Sequence, residues 1–145
     1  MREILFRGKT EKGEWVEGAY YHQTEFYGDK CDYRYIIESS DEIEDNMMIV
    51  SRVIPETVGQ YTGLCDKNGK KIFEGDICRF QEWERGDMCW IGKVHYEYQQ
   101  IVISGGKNKE CKTPFTLAMS RFVPKNIEII GNIHDTPELL YGGTE

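Results

Sequence analysis

The stretch from Pro55 to Phe80 constrains the fold of this chain more than any other, because it sets three short strand-like runs around two tight turns. Val58-Gly59-Gln60-Tyr61-Thr62-Gly63-Leu64 reads as a strand, Asp66-Lys67-Asn68-Gly69-Lys70 as a turn and Lys71-Ile72-Phe73 as the return strand. Asn68-Gly69 is the strongest hairpin signal in the chain, since a type I′ turn needs positive φ at both central residues and Asn-Gly tolerates this best. Glu74-Gly75 then turns the chain again into Asp76-Ile77-Cys78-Arg79-Phe80. Two turns so close together bend a sheet sharply, as small barrels require.

The flanking segments extend the β pattern. Glu3–Arg7 and Trp15–Tyr21 read as a hairpin across the polar Lys9–Gly13, and the polar, glycine-containing His22–Asp32 reads as a break before a strand at Tyr33–Ile37. Met47–Ile54 is apolar at both parities, which predicts a strand covered on both faces or lying at an interface, stopped by Pro55. Trp90–Tyr98 alternates with period two and pairs with Ile101-Val102-Ile103, Thr116–Phe122 suits a helical turn as well as a strand, and Ile127–Ile133 is a strand. Thr136 is placed to cap a short helix beginning at Pro137. The expected fold is therefore mainly β. An N-terminal β-hairpin and sheet region fills 1–54, and a small SH3-like, partly open β-barrel fills 55–145, with a short C-terminal helix.

Charge and composition narrow the functional classes. With 145 residues, 39% of them hydrophobic and 30% charged, the chain can bury a core without metal or disulfide support. Its net charge of −7 opposes a phosphate backbone, and the basic clusters Lys67, Lys70, Lys71 and Lys107, Lys109, Lys112 are flanked by acids, so a general nucleic-acid coat is not expected. No apolar run has the length of a signal peptide or a bilayer span, so a cytoplasmic protein without a membrane partner is expected. The five cysteines, Cys31, Cys65, Cys78, Cys89 and Cys111, are odd in number and widely spaced, the pattern of free thiols rather than of a disulfide framework.

No motif for chemistry emerges. A zinc site needs paired Cys or His ligands two to four residues apart, and no cysteine here has such a neighbour. A nucleophilic pair such as Cys111 with His95 would need a spatial adjacency that spacing does not supply. The carboxylates Glu38, Asp41, Glu42, Glu44 and Asp45 lack the glycine and ligand spacing of a calcium loop and read as a solvated acidic loop. Gly8-Lys9-Thr10 lacks the upstream glycine of a phosphate loop. No catalytic, cofactor or metal residue is assigned and no cofactor is expected. Tyr33, Tyr35, Tyr96, Tyr98, Trp83 and Trp90 could stack on single-stranded nucleic acid, but without interleaved Arg or Lys a core or interface role is favoured. The candidate interaction surface is Met47, Met48, Ile49 and Val50 of the doubly apolar strand, with the polar Gln60, Lys67, Asn68 and Asp76.

Three stretches together carry a family resemblance: Ile4-Leu5-Phe6-Arg7-Gly8-Lys9 with Gly13-Glu14-Trp15-Val16-Glu17-Gly18, the central Val58–Ile77, and Glu128-Ile129-Ile130-Gly131-Asn132-Ile133-His134-Asp135-Thr136-Pro137-Glu138-Leu139-Leu140. In that order they resemble the YopX family of small proteins encoded by bacteriophages and prophages, with His134 standing where the family pattern usually has an aromatic residue. The resemblance implies a mostly-β fold and residence on a mobile element in a bacterial host, and it carries no catalytic residue. The resulting expectation is a noncatalytic phage or prophage accessory protein that binds another protein or itself as a homo-oligomer, with a small-barrel nucleic-acid binder as the alternative.

Overall fold

The computed structural model describes residues 3–39, 48–81, 89–97, 100–105, 115–118 and 126–141. They form eleven strands: β1 Phe6–Lys9, β2 Trp15–Phe26, β3 Asp29–Ser39, β4 Met48–Val53, β5 Gly59–Cys65, β6 Lys71–Phe73, β7 Asp76–Gln81, β8 Cys89–Glu97, β9 Gln100–Gly105, β10 Phe115–Ala118 and β11 Ile127–Asn132. The chain divides into two compact units, Met1–Tyr61 and Thr62–Glu145, within β5. Ile54-Pro55, where the sequence places its boundary, is the entry to a 3-10 turn at Pro55–Thr57.

In the first unit the strands run in the order β4-β3-β2-β1-β5. The β1–β2 turn is held by Thr10, which donates its N–H to the Glu14 carbonyl at 2.8 Å, while its hydroxyl accepts the Glu14 N–H at 3.2 Å. The segment His22–Asp32, read as a break, instead continues β2 and opens β3, pairing from His22↔Arg34 to Phe26↔Asp29 with a bulge between Gln23 and Glu25. The reason is Tyr27-Gly28, with φ of 49° and 85°, which makes the type I′ turn without an Asn-Gly pair.

The far strand curls back toward the beginning of the sheet. Thr10 bridges Val53, and the Ile54 N–H reaches the Lys9 carbonyl at 2.8 Å, so the C-terminal end of β4 is pinned beside β1. Gly8 permits this approach, since a Cβ there would lie 2.9 Å from three Val53 carbons. Val53 and Ile36 are the buried apolar residues of this corner.

The second unit carries the order β10-β9-β8-β7-β11 beside the β5–β6 return. Its core gathers Ile72, Cys78, Phe80, Val94, Ile103 and Ile127, with Trp90, Ile101 and Ile129 packed against it. Full burial of each large side chain is worth about 1.5–3 kcal/mol. The Asn68-Gly69 hairpin forms, but its turn is not type I′. Gly69 donates to the Asp66 carbonyl at 3.0 Å and takes a φ of 79°, whereas Asn68 stays at negative φ. This is a type I turn followed by a glycine bulge, selected because Asp66 sits at the first position and its carboxylate accepts the Asn68 and Lys70 N–H groups, each at 2.9 Å.

Both sheets are antiparallel, and neither closes into a barrel among the described residues. The small-barrel expectation reduces to its coarser content, an antiparallel sheet entered through two tight turns. The expected C-terminal helix is a 3-10 segment, Pro137–Tyr141. Thr136 does not aim its hydroxyl into that segment; it accepts the Asn132 N–H at 3.2 Å. Phe115–Ala118 is a strand paired with β9, and the remainder of Thr116–Phe122 lies outside the described residues, as does the acidic loop beyond Ser39.

Gly75 combines a φ of 91° with an N–H bonded to the Val94 carbonyl and a carbonyl bonded to the Ile133 N–H, each at 2.8 Å. An added methyl group would make only ordinary 3.7 Å contacts with His134 and Ile133, so the cost of Gly75→Ala is conformational. Urea unfolding should show a loss of about 1–2 kcal/mol, the penalty of a left-handed backbone for a residue with a Cβ; an unchanged midpoint would contradict this assignment.

Candidate functional site

Strand alternation and register assemble one exposed face on the first unit. Ala19 pairs with Ile37 and Ile37 with Val50, giving an apolar row across β2, β3 and β4. The next row is Tyr21, Tyr35 and Arg52, in which the two tyrosine rings stack at 6.3 Å. The Arg52 guanidinium lies 3.9 Å from the centre of the Tyr33 ring, one row further on.

The predicted interaction residues separate into groups. Met48, Ile49 and Val50 lie together on β4 and are 69%, 48% and 58% exposed, while Met47 lies outside the described residues. The expectation of cover on both faces is therefore not met within the described residues, because β4 is the last strand of its sheet. Gln60 is half-buried on β5, opposite Phe6. In the second unit Lys67 and Asn68 are exposed on the hairpin turn, and the Lys67 ammonium lies 3.2 Å from Glu128. Asp76 is a correction to the proposed surface: it is 1% exposed and accepts the Phe73 N–H at 2.8 Å, closing the second tight turn from inside.

Asp66, the first residue of the hairpin turn, is likewise internal. Besides its two turn bonds, it accepts the Ile129 N–H at 3.1 Å. Burial pushes its carboxyl up, but the three backbone N–H groups and the Lys70 charge outweigh that and hold it below the ordinary carboxylate range. Asn132 spends its side-chain oxygen on the N–H groups of His134 and Asp135, each at 2.9 Å. The side chains of Asp66, Asp76 and Asn132 are thus committed to turns.

Two polar clusters were not anticipated. His22 Nε2 lies 2.6 Å from an Asp32 oxygen that also accepts the Arg34 Nε–H at 3.0 Å; the bonds from Arg34 and then His22 hold the Asp32 carboxyl below its usual range. Reading His22–Asp32 as a break hides this cluster, because His22 becomes a cross-strand neighbour of Asp32 and Arg34 only once Tyr27-Gly28 is a two-residue turn. On the second sheet His95 Nε2 is 2.7 Å from Ser104 Oγ and 3.8 Å from Glu97. A catalytic triad needs the two ring nitrogens to serve the nucleophile and the orienting carboxylate separately, and here one nitrogen meets both. Among the described residues, no group of three His, Cys, Asp or Glu side chains could hold a metal ion, and no helix is long and apolar enough to cross a membrane. Cys31, Cys65 and Cys78 are not joined in disulfides. Of the proposed stacking aromatics Tyr96 is exposed and Trp90 packs on Phe80 at 6.5 Å, while Trp83 and Tyr98 lie outside the described residues, as does Cys111.

The sequence profile of the family described as YopX protein matches residues 5–141. Among solved structures, the crystal structure of protein EF1440 from Enterococcus faecalis is similar, with a TM-score of 0.52 and 21% identity, covering 97% of this chain and 99% of that one. That likeness concerns the fold. No curated protein matches the chain.

Asp66 lies within the matched span, and its chemistry gives a pH-dependent test. Because its folded-state carboxyl titrates below the unfolded value, it contributes stability that is present above the unfolded pKa, about 3.9, and is lost as pH falls through the lower folded value. Asp66→Asn should cost about 1.5–3 kcal/mol at pH 7, in the range for hydrogen bonds to a charged group. The difference from the parent should shrink in acid. Equal urea midpoints at pH 7 would refute it.

Proposed function

The chain belongs to the YopX protein family, and from that premise we propose that it is a noncatalytic accessory protein of a phage or prophage, acting in the bacterial cytoplasm by holding a protein chain against β4. The observation that carries this reading is a contrast between two strands of the same binary pattern. Val102 and Ile103 on β9 are 2% and 0% exposed, so a run that is apolar at both parities is there covered on both faces. Met48-Ile49-Val50 has the same pattern and stands open at a sheet edge. Exposed apolar edges invite strand addition and aggregation, and proteins ordinarily blunt them with charge, proline or a bulge. None of these occurs within Met48–Val50.

A second reading, single-stranded nucleic-acid binding, draws on the Tyr21–Tyr35 stack beside Arg52. It is the weaker, since Arg34 is tied to Asp32, and Lys67 and Arg79 lie at 3.2 and 3.6 Å from Glu128.

Affinity capture from host cells, run in parallel with the parent chain and Val50→Lys, tests the first reading. An exposed substitution of this kind changes stability by about 0.5 kcal/mol or less, so a lost partner reports the surface. The expected outcome is a retained protein, this chain included, whose recovery falls at least about tenfold, equivalent to about 1.4 kcal/mol, in the variant. Capture indifferent to the substitution counts against it. Titration with single-stranded oligonucleotides at low salt should show no binding; a salt-weakened affinity lost in Tyr35→Ala would favour the second reading.

A further inference from the structure

We infer that the tip of the β2–β3 hairpin is a docking knob, and that it fits an apolar pocket with a basic rim on a different protein. The hairpin outreaches its sheet. β1 pairs with β2 from Trp15 to Gly18, and β4 pairs with β3 from Arg34 to Ser39. Beyond them, the rows Gln23↔Tyr33, Glu25↔Lys30 and Phe26↔Asp29 have no third strand among the described residues. A bare two-stranded ribbon is marginally stable in water, and here side chains brace it. One Asp32 oxygen holds both His22 and the Arg34 Nε–H. Gln23 donates its side-chain N–H to the Glu25 carbonyl at 3.2 Å across the bulge, while its side-chain oxygen accepts the Tyr35 hydroxyl at 3.2 Å and its carbonyl accepts the Cys31 thiol at 3.4 Å.

At the end of this braced arm, Tyr27 takes the first central position of the turn at a φ of 49°, where Asn, Asp or Gly would sit without strain. It is the only non-glycine residue at positive φ among the described residues. Its ring meets Phe26 edge-on at 4.5 Å, and Tyr27 and Phe26 stand 92% and 52% exposed. The strained position therefore holds an aromatic ring in water and adds nothing to the core, and strain of this kind clusters at binding sites. Tyrosine supplies a large contact area at little cost in side-chain entropy, and the edge contact orders both rings before a partner arrives. The tip is convex, so its complement is a pocket. Charge selects the class of partner. Glu25, Asp29 and Lys30 are all exposed around the rings, with Lys30 opposite Glu25 and Asp29 opposite Phe26, so the tip is net negative on a chain of −7. A phospholipid or nucleic-acid surface would set phosphates against these carboxylates, whereas Lys or Arg at the rim of a protein pocket would be drawn to them.

A tip of this size belongs among the smaller interfaces, below about 1,200 Å² in total, so the contact is transient. The test irradiates host cells that make the full chain with the photoreactive Tyr27→p-benzoylphenylalanine. The expected result is one covalent product with a different protein, mapped by mass spectrometry to apolar side chains edged by Lys or Arg. The same group at the exposed Tyr96 should not give that product. With that protein, purified, as the probe, the affinity should fall with added salt and by at least about thirtyfold in Tyr27→Asn, the size of a hot-spot loss. Asn suits the turn, so the urea midpoint of this variant should equal or exceed that of the parent. Lost affinity with an undiminished midpoint separates docking from a merely structural role. The inference is overturned by no product, by a product with phospholipid or nucleic acid, by one of twice 16.9 kDa, or by parental affinity in Tyr27→Asn. The tip is independent of β4: binding lost in Val50→Lys and kept in Tyr27→Asn overturns the docking tip and leaves the reading of β4 standing.

Discussion

The carboxylate of Asp66 is the group on which the geometry of the second unit turns. It accepts N–H groups from Asn68 and Lys70 in its own turn and from Ile129 on β11, 63 residues away in sequence. Next to it, the Lys67 N–H bonds the Ile127 carbonyl at 2.9 Å. A buried anion is costly unless its lone pairs are engaged, and here three backbone donors engage them in one place. The same bonds that neutralise that cost select a type I turn, which sends Lys71–Phe73 back along β5 and delivers the chain to Glu74-Gly75. The second buried carboxylate, Asp76, then fixes that next turn by taking the Phe73 N–H. Local turn chemistry and long-range strand placement are thus one set of hydrogen bonds.

Much of the apolar pattern of the second unit is absorbed by this framework, and the places in the chain where apolar side chains stay exposed are informative. Cys78 and Phe80 on β7 and Val94 on β8 point into one core, and β9 is covered on both faces. The hairpin tip places Phe26 and Tyr27 in edge contact at 4.5 Å, both exposed, and β4 leaves three consecutive apolar residues open. Scattered exposed hydrophobes are ordinary, but contiguous ones on an unpaired edge are what folding alone does not explain.

The strands were legible in the sequence wherever period-two alternation ran into a glycine turn: β5, β6, β7, β8, β9 and β11 lie where their patterns put them, whereas β1 is Phe6–Lys9 rather than Glu3–Arg7. Turn types were less legible. Asn68-Gly69 predicted a hairpin correctly but a type I′ geometry wrongly, because the competing signal, a carboxylate two residues earlier able to bond the turn N–H groups, was not weighed. Tyr27-Gly28 hid the true type I′ turn, since tyrosine rarely takes positive φ, and with it the cross-strand cluster of His22, Asp32 and Arg34. Side-chain direction was the least legible. Asp76 is polar in composition yet internal in fact, since composition does not say which way a turn residue faces. Met48–Val50 could be recognised as doubly apolar, whereas its place at the sheet edge depends on a strand order that periodicity does not encode.

The pairing of β11 with β7 joins Ile127 to Phe80 and Asn132 to Asp76, so the second sheet is completed by contacts between residues roughly fifty positions apart. Closing a loop of that length carries an entropic cost that must be met before any of its contacts form. During synthesis β7 therefore leaves the ribosome long before its neighbour exists, with one flank satisfied by β8 and the other bare. The first unit has the same wait, since β1 pairs with β5 from Phe6 to Gln60, although its β2–β3 hairpin is local. Vectorial synthesis would accordingly form the local hairpins of each unit first and its long-range closure last, and the interval between them is when each unit is most exposed to proteases and to mispairing.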